Sequence, residues 1–278
     1  MSSTHVAPPA GEERPGGVFR YVSPSRLALW MRCPLAFRLK YLDGLVEPPT
    51  PSLFVGKVVH RGLEHYYRHR SLAVKLTCDE VQRYTDAVWE PMAEEEGVVF
   101  PSAAEEERFR CHALGLVTAY LATVPADEPP VLAVERVLEM PLVAPDRREM
   151  FDLPLVGIVD LILDGPEGPV IVDFKTAAAR SPAVEIVHEI QFSSYAWLFR
   201  RVFDREEAAL EIRSLIKTRR PQLEVHRYPP RTPGHLRRLF AAIRAYLDDL
   251  DRGRFVFRLG LACGLCDYRE THCRNWQG

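Results

Sequence analysis

No stretch of this 278-residue chain approaches the roughly 20 consecutive apolar residues of a membrane helix. The opening residues, MSSTHVAPPAGEERPGG, lack the apolar core of a secretory signal. They read as a flexible tail, residues 1–17. There is no internal repeat, no long linker and no GxxxxGK[ST] loop for a nucleoside triphosphate. The chain is also too short to add a helicase motor, so any unwinding would need a partner protein. These absences point away from membrane, secreted and motor proteins and lead us to expect a cytoplasmic protein.

Charge of one sign is missing locally rather than overall. The net formal charge is −2, yet Asp79 to Glu107 holds ten acids and one base, Arg83. Arg213 to Arg244 holds nine Arg or Lys and one acid, Glu224. The first run reads as a solvated helical face. The second, with Lys217, Arg219, Arg220, Arg237 and Arg238, is a candidate groove for a polyanion, or else plain soluble surface.

SPSRLALWMRCPLAFRLKYLDG, residues 23–44, reads as two short helices, with Ser23 or Ser25 as cap of the first and Pro34 in the first turn of the second. Further helices are expected over about 56–70, 79–95 and 103–124. The period then shortens to two. VLAVERVLEMPLV, LPLVGIVDLILD and VIVDFKT read as three strands, the last two joined by the turn DGPEGP. Residues 184–202 return to helical spacing. ALEIRSLIKT and LEVHRYP are two more strands, and a helix follows over about 233–250. The order is β-β-β-α-β-β behind a helical half: a helical part over 18–127, an α/β core over 128–258 and a cysteine segment over 259–278, in one domain spanning 18–278.

Two of these strands carry charge where a core strand has no need of it. Asp160 interrupts GIVDLILDG, on one face with Val156, Ile158 and Ile162. Asp173 and Lys175 share a face with Ile171 in IVDFKT, while Val170, Val172 and Phe174 would anchor the strand. A hairpin brings both carboxylates and the lysine to one side of the sheet. Hard cations such as Mg²⁺ or Mn²⁺ prefer such oxygens, and they activate water and offset charge on phosphorus. In GKVVHRGLEHYY, His60 and Glu64 lie one helical turn apart, and Gly56 permits close backbone approach. His188, Gln191 and Tyr195 fall on one face of the helix after the third strand.

Taken in series, Gly-x-x-x-His-x-x-Leu-Glu, Gly-x-x-Asp, Asp-x-Lys-Thr and Gln-x-x-x-Tyr resemble the RecB-type branch of the PD-(D/E)XK nuclease superfamily. That branch includes nuclease domains of recombination helicase-nucleases and CRISPR-associated exonucleases. The resemblance covers residues 23–275. It implies a restriction-endonuclease-like α/β fold with a mixed sheet flanked by helices. It also implies a metal held by His60, Asp160, Asp173 and the Phe174 carbonyl, with Lys175 as catalytic lysine and Gln191 and Tyr195 in support. Asp173 stands where Glu is common.

Six cysteines are present, and three crowd the C-terminus as C-x2-C-x6-C: Cys263, Cys266 and Cys273. Cys33 is the candidate fourth ligand for Zn²⁺ or an iron–sulfur cluster. Cys78 and Cys111, within helical patterns, read as buried thiols. The resemblance implies a [4Fe–4S] cluster stapling the chain ends. The final gap in that family is often five residues, which leaves His272 as an alternative to Cys273. The expected function is a metal-dependent DNA exonuclease acting on single strands or duplex ends, with helicase, repair or CRISPR-adaptation partners. A catalytically weak DNA-binding module and an RNA or phosphoester hydrolase are the alternatives.

Overall fold

The computed structural model describes residues 18–144, 150–180 and 185–277. The expected tail, residues 1–17, and the expected start of a helix at residue 184 lie outside the described residues. The chain forms two compact units that interleave in sequence. One contains described residues of 1–46, 137–157 and 232–278; the other contains 47–136 and 158–231. In chain order the helices are α1 (Pro24–Arg32), α2 (Pro34–Tyr41), α3 (Pro51–Ser71), α4 (Cys78–Ala87), α5 (Trp89–Glu96), α6 (Ala103–Leu121), α7 (Glu189–Phe203) and α8 (Pro233–Asp251). The strands are β1 (Val131–Val143), β2 (Met150–Gly165), β3 (Gly168–Ala177), β4 (Ala209–Ile216) and β5 (Gln222–Tyr228).

The five strands lie in the order β1-β2-β3-β4-β5. β2 and β3 are an antiparallel hairpin, β3 and β4 are parallel across α7, and β4 and β5 are antiparallel again. This is the expected mixed α/β sheet. β3 is its centre and is buried on both faces: Ile171 is as fully enclosed as Val172. The expectation that only one side of IVDFKT is anchored therefore fails, because a central strand between helical layers has no solvent face. On one side, Leu161, Leu163, Val170, Val172 and Phe174 pack with Phe54, Val58 and Leu63 of α3 and Leu116 and Tyr120 of α6.

Local signals explain the helix limits that differ from expectation. α3 starts five residues before Gly56, at Thr50-Pro51: the Thr50 hydroxyl accepts the Leu53 N–H and Pro51 fits the first turn. The helix expected over 79–95 is two helices broken at Val88. Pro91 accounts for the break, since its ring would clash with the carbonyl of Ala87 in a continuous helix. None of the ten acids between Asp79 and Glu107 is buried, in keeping with a solvated face.

Beneath this sheet lies a buried polar hub. The carboxylate of Glu128, 1% exposed, meets Arg213 at 2.6 Å and also pairs with Arg70. Tyr67 donates to it at 3.1 Å, and Arg213 reaches the Tyr120 hydroxyl at 2.8 Å. The rings of Tyr67 and Tyr120 both face Phe174. The hub thus sits under the centre of β3. In the other unit, Trp30 of α1 donates to Asp249 of α8 at 3.1 Å, and Phe37 packs edge-on against Tyr246. Removing one partner of a buried ion pair strands the other charge. Glu128→Ala should therefore lose about 3–5 kcal/mol in urea unfolding, and a loss under about 1 kcal/mol would contradict the hub's role.

Candidate active site

The β2–β3 ladder runs from the Gly165–Gly168 turn to the Leu161–Val172 pair and stops one step short of Asp160. There the Asp160 Oδ2, rather than a strand carbonyl, accepts the Phe174 N–H at 2.8 Å. His60 of α3 places Nδ1 3.6 Å from the same oxygen, with its ring edge-on to Phe174. α3 comes this near because Gly56 lacks a side chain: a Cβ there would stand 2.7 Å from Thr176 Oγ1.

A third ligand-type group joins them, and sequence reasoning missed it. Glu135 of β1 offers a carboxylate oxygen that lies, with one atom each of His60 and Asp160, within a mutual 4.8 Å. Its backbone is at φ +44°, a left-handed conformation that costs a residue with a Cβ about 1–2 kcal/mol. The signal was present: Val131, Ala133 and Val137 share a strand face with Glu135, the same misplaced acid that singled out Asp160.

Asp173 is not part of that mutual group. Its carboxylate is 1% exposed and already engaged. Gln191 of α7 donates from Nε2 to Asp173 Oδ1 at 2.7 Å and also to the Tyr195 hydroxyl at 3.0 Å. Lys175 Nζ stands 2.7 Å from Oδ2 as an ion contact. Oδ2 is shut from solvent and meets that ammonium as a charge contact rather than as a well-aligned hydrogen bond. His188 caps α7 from a preceding 3-10 turn instead of sharing its face, because α7 begins only at Glu189.

The charges strain against one another. Burial, then Asp173, pushes Asp160 up to about 6, with His60, the Phe174 N–H and Lys175 opposing. Burial, then Asp160 and Glu64, pushes Glu135 up to about 8, with Arg68 and Arg61 pulling it back. Burial, then Asp173, also keeps the Tyr195 hydroxyl protonated. Burial, then Lys175, pushes the His188 imidazole down. Crowded carboxylates that resist ionising are a poor stability device and a good cation site. Two carboxylates and an imidazole suit Mn²⁺ or Mg²⁺, and Asp173 Oδ2, with Lys175 beside it, lies in the same field.

Residues 21–274 match the PD-(D/E)XK nuclease superfamily. The chain belongs to that superfamily. Nucleases of this superfamily use divalent metals, and their fold implies a nucleic-acid substrate. The nuclease is similar in structure to a protein named as a candidate exonuclease, from Eubacterium rectale, with TM-score 0.56 and 13% identity over 93% of this chain and 89% of that one. That identity establishes the fold alone. SSO0001 aligns at TM-score 0.36 and 13% identity over 87% of this chain and 91% of that one, too far to carry an argument. No curated protein matches. No helix among the described residues is long and apolar enough to cross a membrane.

The basic run of the nuclease does not act as one surface. Arg213 serves the Glu128 hub and Arg231 is 2% exposed beside Glu185. Lys217 donates to Ser52 O and Oγ at 2.9 and 2.8 Å. Arg219 and Arg220 are exposed at the β4–β5 turn, whereas Arg237 and Arg238 belong to α8 in the other unit.

That other unit carries the cysteines. Cys33 ends α1 and precedes α2 without using its thiol as a cap, and Cys33, Cys263, Cys266 and Cys273 line one pocket. Burial, then Cys33, Cys266 and Cys263, pushes the Cys273 thiol up. His272 is turned to Thr271, at 2.8 Å, and does not line the pocket. No three of these sulfurs lie within a mutual 4.8 Å. A tetrahedral zinc with Zn–S of about 2.3 Å would need sulfurs about 3.8 Å apart. Contrary to expectation, Cys111 is exposed and Cys78 half-exposed: they sit on the outer sides of α6 and at the start of α4.

A carboxyl whose folded pKa exceeds its unfolded value adds nothing below about pH 4 and an increasing penalty as pH rises to about 8. Without metal, Glu135→Gln should therefore raise Tm by a few °C at pH 8, the scale of about 1 kcal/mol in a chain this size, and change little at pH 4.5. Thermal melts in EDTA check this, and an equal shift at both pH values would contradict it.

Proposed function

We propose that the protein is a metal-dependent deoxyribonuclease of the RecB-type branch, acting as an exonuclease and stapled by a [4Fe–4S] cluster. The observation that carries the nuclease chemistry is the convergence of His60, Glu135 and Asp160 beside the Asp173–Lys175 pair. His60, Glu135 and Asp160 would hold one divalent ion, with Asp173 Oδ2 and the Phe174 carbonyl as further oxygens. Such an ion supplies Lewis-acid charge at a phosphate and acidifies water. Gln191, braced by Tyr195, fixes the Asp173 carboxylate. Lys175, 39% exposed, is held by Asp173 and would offset charge on the attacked phosphate. The exonuclease mode draws on the name of the Eubacterium rectale protein.

The purified protein should degrade DNA only with added Mg²⁺ or Mn²⁺. Asp173→Ala should lower the rate by at least about 10³-fold, the scale of one lost charge-stabilising group, while DNA binding persists. Gel assays on single-stranded DNA, duplex DNA and RNA, with end-labelled and circular forms, read the substrate and the mode. Full activity of the variant or in EDTA would overturn the proposal, and cleavage of RNA alone would replace the substrate.

The four thiols around one pocket support a soft-metal staple, and the family resemblance favours the cluster over zinc. Anaerobically purified protein should be brown with about 4 Fe per chain. Cys273→Ala should lose the iron and His272→Ala should keep it. Stoichiometric zinc with no iron would contradict the cluster.

A further inference from the structure

One charged group beside the acidic site has no part in holding a metal. Arg61, Glu64 and Arg68 lie on one face of α3, at i, i+3 and i+7, beginning one residue after His60. Glu64 pairs with both arginines: Arg61 Nη1 to Oε2 at 2.9 Å and Arg68 Nε to Oε1 at 2.7 Å. The burial is uneven. Glu64 is 12% exposed, whereas Arg61 is 39% and Arg68 54% exposed. The acid is tucked against the protein and the arginine side chains are the more open partners. The triad carries one net positive charge beside three metal-ligand candidates. Both arginines are near enough to Glu135 to lower its proton affinity.

As surface ion pairs these contacts add little stability. They do restrict two long side chains to one orientation, each with N–H groups to spare. An arginine fork so fixed matches a phosphate better than a mobile lysine does. The ion at His60, Glu135 and Asp160 would neutralise only the phosphate under attack. Neighbouring phosphates of the same strand then need partners of their own. Both arginines reach the same carboxylate, so their guanidinium groups stand side by side on it and can meet neighbouring phosphates of one strand.

We propose that Arg61 and Arg68, oriented by Glu64, clamp the backbone phosphates that flank the scissile one. The clamp sets where the strand enters the site and reads no base, since phosphate contacts position without specifying. It rests on the nuclease reading above. It also moves the main electrostatic contact from the exposed β4–β5 turn to the helix that carries His60.

The test is binding of a fluorescent oligothymidylate by anisotropy across a salt series, with Ca²⁺ in place of Mg²⁺ and Mn²⁺ so that no strand is cut. Arg61→Gln/Arg68→Gln should reduce the slope of log affinity against log salt by about 1.4, about 0.7 per single-strand phosphate, and weaken binding by tenfold or more near ~0.1 M salt. Arg61→Lys/Arg68→Lys should restore the slope. Arg108→Gln, a 73%-exposed arginine of α6, should leave it unchanged. Far-UV circular dichroism melts show that the variants fold. If the wild type cuts DNA with metal but the glutamine variant keeps the full slope, the clamp is wrong and the nuclease reading stands. If the wild type neither binds nor cuts DNA, both fall.

Discussion

Two carboxylates buried side by side repel each other, and the fold must hold them there against that repulsion. Asp160 and Asp173 stand on adjacent strands at the end of a β-ladder; Asp173 raises the proton affinity of Asp160, and both raise that of Tyr195. What keeps them in place is the Phe174 N–H on Asp160, the Gln191 amide on Asp173 and the Lys175 charge beside Asp173. Behind them Phe174 is wedged between Tyr67 and Tyr120, whose hydroxyls join the buried Glu128–Arg213 hub. The site is thus supported on a satisfied polar network rather than on a loop, as precise positioning requires. A buried polar hub of this kind is a weak source of stability, and holding β3 in register is what it offers instead.

The unresolved repulsion is informative. Glu135 adds a third acid, on a strained backbone, to a place that already resists ionisation. Hydrogen bonds within the chain offset only part of this, and a divalent cation would offset the rest. The two donor sets are separate. Oxygens and an imidazole gather in the unit with α3 and β3, donors of the kind a hard ion prefers. Four thiols gather in the unit with α1, α2 and α8, donors of the kind a soft ion prefers.

Much of this was legible in the residues because the signals were local. Strand alternation exposed Asp160 and Asp173 as misplaced charges, a turn joined their strands, and cysteine spacing announced a soft-metal pocket. Motif order singled out Gln191 and Tyr195 as a supporting pair, but that Gln191 holds Asp173 came only from the packing of α7 on β3. What could not be read was non-local. That Glu135 of β1 meets His60 of α3 depends on how two distant elements pack. Arg213 looked like part of a basic groove because nothing nearby in sequence reveals that Glu128 waits for it under the sheet. Both-sided burial of Ile171 depends on β3 being central, a property of the whole sheet. Two misses were local after all: Thr50-Pro51 and Pro91 carried the helix limits that apolar periodicity misplaced.

The central claim is that His60, Glu135 and Asp160 hold one divalent ion beside the Asp173–Lys175 pair. Electron paramagnetic resonance of protein loaded with one equivalent of Mn²⁺ tests it without relying on activity. The account predicts a bound Mn²⁺ whose spin echo is modulated by one imidazole nitrogen, with that modulation lost in His60→Ala and binding weakened in Asp160→Asn. Mn²⁺ that stays free in solution, or nitrogen coupling unchanged in His60→Ala, would contradict it.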